Sequence, residues 1–153
     1  MARTTSNPTR DAGDGTQAFT AEERAAMKER AHEVKKATRG GSKPSPEQEV
    51  LDKIAEMAEA DRLLAERIHA LVREHAPGLQ PRTWYGMPAY GKDGKATVFF
   101  QAAAKFKARY ATLGFNDDAE IDEGTMWPTA FALTTLTAED EARVVDLIRR
   151  AAG

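Results

Sequence analysis

The fold is decided by residues 84–101, which read WYGMPAYGKDGKATVFFQ. Aromatic and β-branched residues, which are typical of strands, stand on both sides of Lys92-Asp93-Gly94. The Asp-Gly pair is a strong signal for a tight hairpin turn. We therefore predict one strand over residues 84–91 and a second over residues 95–101, paired as an antiparallel hairpin.

Gly86 and Pro88 should disturb the first of these strands. Glycine inside a strand marks a bulge or a close backbone approach, and proline cannot donate a hydrogen bond to the ladder. We predict that the strand bends at Gly86-Met87 and that Pro88 lies at an edge or a bulge. The bend should open a cleft beside Trp84 or Tyr90.

Further strands and a final helix follow the hairpin. Apolar and basic residues alternate over residues 106–113, which is the pattern of a half-buried strand. A short strand is predicted over residues 129–133. Thr137 and Asp140 have the spacing of a capping box, which begins a closing helix with an apolar stripe.

The residues before the hairpin are predicted to be helical. Ser45 and Pro46 have the cap and the first-position proline of a helix start. A second apolar run, which ends near Val72, is assigned to a separate helix with Asp61 as its N-cap. Helices first, an antiparallel sheet next and a helix last predict an α+β domain over residues 46–153, with the sheet packed against the N-terminal helices and the C-terminal helix.

The N-terminal residues are predicted to lie outside this domain. Residues 1–18 have almost no large apolar side chains, so a disordered tail is expected. A capping box at Thr20 begins a helical extension over residues 19–38, whose thin apolar stripe of Met27, Ala31 and Val34 predicts weak docking. Residues 39–45 are rich in glycine and serine and are interpreted as a flexible linker.

Composition excludes several classes of protein. The 153 residues contain 22 Lys and Arg against 24 Asp and Glu, and this net charge of -2 disfavours a dedicated nucleic-acid binder. The absence of cysteine excludes disulfides, thiolate nucleophiles and cysteine-bound metals. No stretch approaches the roughly 20 apolar residues of a membrane-spanning helix, and no signal-peptide core is present. A cytoplasmic location without a membrane partner is expected.

Two segments are similar to segments of a known family. Residues 77–90 read PGLQPRTWYGMPAY, and residues 124–128, before the last helix, read GTMWP. Over roughly residues 48–152 the chain resembles the YdhG-like family, a domain of largely unknown function that includes frataxin-like iron chaperones. The resemblance implies a frataxin-like α+β fold and iron as a cargo. Family members often carry lysine before Gly-Thr, where this chain has Glu123, so an anion site built on that lysine is not implied here.

A metal site is one candidate. Four acidic residues have the spacing i, i+3, i+7 and i+10, which places them within one quarter of a helical wheel. Carboxylate ridges suit hard cations and iron. The alternative is an ordinary solvated face opposite the apolar stripe of the helix. The candidate metal residues are Glu49, Asp52, Glu56 and Glu59.

A basic surface is a second candidate. Lys105, Lys107 and Arg109 alternate along a predicted strand and would point the same way, with Arg82 and Lys95 nearby. Such a surface suits an anion, a phosphate or an acidic partner. The alternative is the solvated face of an antiparallel sheet.

An aromatic cluster is the third candidate. One set of these side chains should complete the core, and the other could line a pocket for a small organic ligand. Whether any of them leaves the core is open at this point. The candidate ligand-binding residues are Trp84, Tyr85, Met87, Tyr90 and Trp127.

The sequence favours a binding protein over an enzyme. It contains no Ser/His/Asp order, no glycine-rich phosphate loop and no metal-hydrolase helix motif. We therefore expect a non-catalytic cytoplasmic binding domain. One version is a frataxin-like iron chaperone, and the other is a small-molecule or anion-binding module that uses the aromatic and basic residues.

Limited proteolysis tests the predicted organisation. Cleavage should occur within residues 39–43 and leave a folded C-terminal fragment, because the extension supplies little apolar surface to the domain. Mass spectrometry identifies the cut, and circular dichroism follows the fragment. A fragment that unfolds after the cut would show that residues 19–38 are integral to the domain.

Overall fold

The computed structural model describes residues 19–38 and 44–153, and the side chains of 36–38 are not described. The tail predicted for residues 1–18 and most of the linker predicted for residues 39–45 lie outside these residues. The helices of the described part are α1 (Ala21–Thr38), α2 (Pro46–Ala55), α3 (Glu59–His75) and α4 (Ala138–Ala152). None of these helices is long and apolar enough to cross a membrane.

One antiparallel sheet forms the centre of the domain. Its strands lie in sequence order and are β1 (Gln80–Trp84), β2 (Met87–Gly91), β3 (Val98–Gln101), β4 (Ala111–Phe115) and β5 (Ala130–Leu133). A short 3₁₀ helix, Ala104–Phe106, connects β3 to β4. The predicted α+β class, with an antiparallel sheet packed against N-terminal helices and a C-terminal helix, is confirmed.

One face of the sheet packs against helices α2, α3 and α4. Tyr90, Val98 and Phe115 occupy one cross-strand row of this face, and Phe100 and Leu113 occupy another. They pack against apolar residues of the three helices, such as Val50, Ile68 and Ile148, all of which are fully buried. Burial of this apolar surface is the main stabilising contribution to the fold.

The predicted strand over residues 84–91 is wrong, because it is two strands joined by a turn. Tyr85 and Gly86 have φ values of 52° and 74°, and Trp84 pairs with Met87 across them. Two successive residues with positive φ are the mark of a type I′ hairpin turn. The chain therefore reverses at the point where a bend within one strand was expected.

Pro88 is neither at an edge nor at a bulge, which corrects a second expectation. It is buried in β2, which has β1 on one side and β3 on the other, and it pairs with Thr83. Because Trp84 and Met87 close the turn, the nitrogen of Pro88 points away from β1. The ladder to β3 begins only at Ala89, so no hydrogen bond is required from Pro88.

The strand predicted over residues 106–113 is also wrong in its first half. Residues up to Phe106 belong to the 3₁₀ helix, and Lys107 has a φ of 52°. Strand β4 begins only at Ala111. Since the backbone is not extended before that point, the alternation of basic residues does not place them on one sheet face.

Helix caps show which local predictions hold. Ser45 accepts a hydrogen bond from the amide of Gln48 at 3.1 Å, and Thr137 forms the predicted capping box. The separation of α2 from α3 is confirmed, but Asp61 is not the N-cap, because α3 begins at Glu59. The buried Asp61 carboxylate instead accepts the amides of Ala103 and Ala104, at 3.1 and 3.0 Å.

Tyr90 lies in the core and is fully buried, which contradicts a cleft beside its ring. Its hydroxyl lies 2.8 Å from Nδ1 of the buried His69, and Nε2 of His69 lies 3.1 Å from the Glu47 carboxylate. Because that carboxylate can only accept, Nε2 carries the proton and Nδ1 accepts from the Tyr90 hydroxyl. Nε of Arg73 lies 3.1 Å from the same carboxylate oxygen of Glu47.

Truncation of Tyr90 should therefore be costly. We expect Tyr90→Ala to lower the free energy of unfolding by about 3–5 kcal/mol, the range for a buried aromatic ring. Tyr90→Phe should cost about 1–3 kcal/mol, because it leaves a buried nitrogen of His69 without a partner. Urea denaturation measures both. Tyr110→Ala, at a ring that is 39% exposed, is the control and should cost less than either. A Tyr90→Ala cost under about 1 kcal/mol would contradict this placement.

The same network should make stability depend on pH. Burial lowers the pKa of His69 below its usual value of 6.5, although the hydrogen bond to Glu47 opposes the shift. Below about pH 6.5, His69 is therefore protonated to a greater extent in the unfolded chain than in the folded chain. Stability should be complete above about pH 6.5 and fall as the pH decreases further. Urea midpoints measured across this range should show a weaker dependence for His69→Gln, and an unchanged one for His32→Gln on the exposed face of α1.

Candidate anion-binding site at the first hairpin

Helix α1 contacts the β1–β2 hairpin through polar side chains. The thin apolar stripe of Met27, Ala31 and Val34, from which weak docking was expected, is exposed to solvent. Ala26 is the one buried residue among those of α1 whose side chains are described. Charged side chains on either side of Ala26 make the contacts, which the apolar pattern alone could not indicate.

The turn at Gly86 is the centre of these contacts. Its N–H donates to the Glu33 carboxylate at 2.9 Å, and its carbonyl accepts from Nζ of Lys105 at 3.4 Å. The Glu29 carboxylate lies 3.2 Å from Lys105 and 3.4 Å from Lys53. A Cβ at position 86 would displace the ends of the Glu29 and Lys105 side chains, and the φ of 74° also favours glycine there.

The three predicted anion-binding residues are not brought together. Lys105 is held by Glu29. Lys107 pairs with Glu22 at 2.8 Å, which raises the pKa of Lys107 and lowers that of Glu22. The Arg109 guanidinium lies over the Tyr110 ring at 5.6 Å. Two of the three cations therefore already have carboxylate partners from α1.

The second face of the hairpin carries an aromatic cluster beside a cation. Arg82 and Trp84 lie on this face of β1, and the Trp84 ring packs 5.2 Å from Phe99 and 4.9 Å from Tyr85. Phe99 can lie flat across the sheet because Gly114 opposite it has no side chain: a Cβ there would lie 2.1 Å from the ring. Both Trp84 and Phe99 remain half-buried.

A pocket of about 410 Å³ opens beside this cluster, and we call it the Arg82 pocket. Its walls come from α1, from β1, from the β2–β3 turn and from the loop after β4. Three basic residues and two acidic residues line it, together with an aromatic ring and an amide. The lining side chains with polar or aromatic groups are Arg30, Arg82, Trp84, Lys95, Asn116, Asp117 and Asp118.

Arg82 is half-buried and its charge is not neutralised. The guanidinium makes no hydrogen bond or ion pair with any residue that the structure describes. Burial lowers the pKa of Arg82, the positive charge of Arg30 lowers it further, and Glu33 opposes both at longer range. An unpaired, partly desolvated guanidinium is unfavourable, and a carboxylate or phosphate in the pocket would relieve that cost.

The other polar groups of the pocket are fixed by their own hydrogen bonds. The Asn116 amide donates to the carbonyl of Ala96 at 2.6 Å, and Asp118 accepts from the Thr97 hydroxyl at 2.6 Å. Arg30 bonds Glu33 at 3.4 Å and lies 5.9 Å above the Tyr85 ring. These contacts hold the walls in place before any ligand enters, while Arg82 stays available.

The five predicted ligand-binding residues are separated. Tyr90 and Met87 are buried, and Trp127 packs against the core from outside the sheet. Only Trp84 lines the Arg82 pocket, with Tyr85 against its edge. In the sequence, Arg82 and Lys95 stand out only as neighbours of the predicted basic surface. The alternation of Arg82 with Trp84 in a strand was the available signal, whereas Arg30 is remote in sequence and gave none.

The predicted metal residues do not form one ridge. The predicted ridge required residues 49–59 to lie on one helix. Helix α2 instead ends at Ala55, and Glu59 belongs to α3. The other three, Glu49, Asp52 and Glu56, line a cleft of about 620 Å³ between α1 and α2. Within residues 19–38 and 44–153, no three His, Asp or Glu side chains converge closely enough to hold a metal ion.

Compared with models of protein families, with curated proteins and with solved structures, the chain has no significant match. The YdhG-like resemblance therefore stays a prediction from the two motifs. The geometry of the Arg82 pocket is the observation from which a function can be argued.

Proposed function

We propose that this chain is a non-catalytic binding domain that takes a small organic anion in the Arg82 pocket. The ligand carries a carboxylate or phosphate group attached to a flat apolar group. This is the small-molecule or anion-binding version of the function expected from the sequence, with Arg82 in the role that was assigned to Lys105, Lys107 and Arg109.

The observation that carries the proposal is the unpaired Arg82. A guanidinium presents parallel N–H donors that match the two oxygens of a carboxylate or phosphate, and such paired bonds are among the stronger ones in proteins. Lys95 and Arg30 line the same pocket and add positive charge. The carboxylates of Asp117 and Asp118 reduce the positive charge of the pocket, so it favours a ligand with one anionic end over a highly charged one.

Trp84 and the pocket size support the flat apolar group. The ring borders the pocket and is half-buried, so a planar ligand can stack on it beside Arg82. A volume of about 410 Å³ lies within the range of roughly 300–1,000 Å³ for small-molecule sites. A bare inorganic anion would leave most of this space to water.

Iron handling, a cytoplasmic location and membership of the YdhG-like family stay part of the hypothesis with weaker support. For the family, the order of the elements agrees with the resemblance: a helix that ends before Pro77, a hairpin at residues 84–91, and a final helix after residues 124–128. The feature that supports iron binding is the acidic cleft between α1 and α2, but the carboxylates of this cleft do not converge on one point.

An NMR titration tests the proposal. We expect phenyl phosphate to shift the backbone amides of residues 82–84 and 94–96, and to bind more tightly than inorganic phosphate because its ring stacks on Trp84. Arg82→Gln should weaken binding of both probes about tenfold or more, since it removes a charged hydrogen-bond donor pair. Trp84→Ala should remove the preference for phenyl phosphate.

Arg109→Gln is the control, because it removes an exposed arginine outside the pocket, and it should bind both probes as the wild type does. Absence of shifts at residues 82–84 with up to roughly 10 mM of either probe would contradict the proposal. An anaerobic titration with ferrous iron that shifts residues 49–56 instead would support the iron version.

A further inference from the structure

One stripe of α1 faces the domain with an acidic pattern. Glu22, Ala26, Glu29 and Glu33 have the spacing i, i+4, i+7 and i+11, so they lie along one side of the helix. Ala26 is buried, and the three glutamates all bind cations or an N–H of the domain. The helix thus presents carboxylates on both sides of one small apolar contact.

The surface beneath this stripe is basic, and we call it the basic groove. It consists of Lys53 from α2, the Gly86 N–H, Lys105 and Lys107. Lys107 binds Glu22 at 2.8 Å, while Lys105 and Lys53 hold Glu29 at 3.2 and 3.4 Å. The Gly86 N–H binds Glu33 at 2.9 Å. Each cation, and the one backbone donor, faces a carboxylate of α1.

The contacts that attach α1 to the groove are of a kind that another helix can replace. The large apolar side chains Met27 and Val34 of α1 are exposed at 37% and 49%, and Phe19, just before the helix, at 47%, so they add little buried apolar surface. Partly exposed ion pairs each contribute little and weaken with salt. The contacts between α1 and the groove are therefore specific in geometry but weak in total.

We infer that the basic groove is a docking site for an acidic helix of another protein, and that α1 is its intramolecular occupant. Glu22 and Glu33 are eleven residues apart, which is roughly 16 Å along a helix. One small anion cannot span that distance, whereas a helix with carboxylates at this spacing matches every donor at once. A partner helix with the same pattern displaces α1 and binds the groove in its place.

Displacement of α1 also moves Arg30 out of the Arg82 pocket, because Arg30 belongs to α1. Binding of the partner helix therefore removes one cation from the small-molecule pocket. The inference itself needs only the groove, so the failure of the small-anion proposal would leave it standing.

The experiment uses the full chain and a fluorescent peptide of residues 19–38. Tethered α1 competes at an effective concentration in the millimolar range, so the wild type should bind the peptide weakly. The double variant Glu29→Gln/Glu33→Gln weakens that competitor and should bind the wild-type peptide about tenfold or more tightly by fluorescence anisotropy. Adding Lys105→Gln to the double variant should abolish the gain, and so should high salt.

Matched controls separate docking from general attraction. Glu23→Gln changes a carboxylate of α1 outside the stripe and should leave the wild-type affinity unchanged. A peptide with glutamine at positions 29 and 33 should bind no variant well. Circular dichroism melting should show the same core transition in every chain, since Glu29 and Glu33 belong to α1 and are not part of the hydrophobic core.

Three results would overturn the inference. Equal affinity of the wild type and the double variant would show that α1 does not occupy the peptide site. Binding of the glutamine peptide as tightly as the wild-type peptide would show that the carboxylates are not recognised. Tighter binding of a short thymidine oligonucleotide than of the peptide by the double variant would identify the groove as a nucleic-acid surface.

Discussion

The two-residue turn at Tyr85 and Gly86 constrains both the sheet and the surface around it. Because φ is positive at both residues, β1 and β2 pair in one register, with Trp84 opposite Met87 and Pro81 opposite Tyr90. That register sends Tyr90 into the core and leaves Arg82 and Trp84 on the opposite face. A slip of one residue would exchange the two faces, so the core and the pocket depend on the same turn.

The turn also provides the place where α1 docks. Gly86 leaves its N–H pointing away from the hairpin, and the absence of a side chain lets two carboxylates approach the backbone. A tight turn with an unpaired amide beside two lysines attracts anions. In this chain, Glu33 of α1 accepts from the Gly86 amide and Glu29 of α1 pairs with the two lysines. Polar contacts thus replace the apolar packing that normally attaches a helix to a domain.

Much of the fold could be predicted because its signals are local. The turn at Asp93-Gly94, the caps at Ser45 and Thr137 and the apolar stripe of α4 depend on neighbouring residues, and each was recognised. The first hairpin was missed because tyrosine is uncommon at positive φ, so Tyr85 gave no turn signal. A strand was wrongly predicted before Ala111 because alternation alone cannot reveal the left-handed backbone at Lys107.

The candidate site was less predictable because its parts are distant in sequence. Arg30 and Arg82 meet only after α1 docks, and no periodic pattern links them. The most direct test of the account is the Gly86 amide, observed by NMR in the wild type and in Glu33→Gln. The account predicts a shifted, exchange-protected amide in the wild type that becomes rapidly exchanging in the variant, while Glu23→Gln changes nothing. A Gly86 amide that exchanges at the rate of an exposed turn in the wild type, or that is unaffected by Glu33→Gln, would contradict the docking of α1 on this turn.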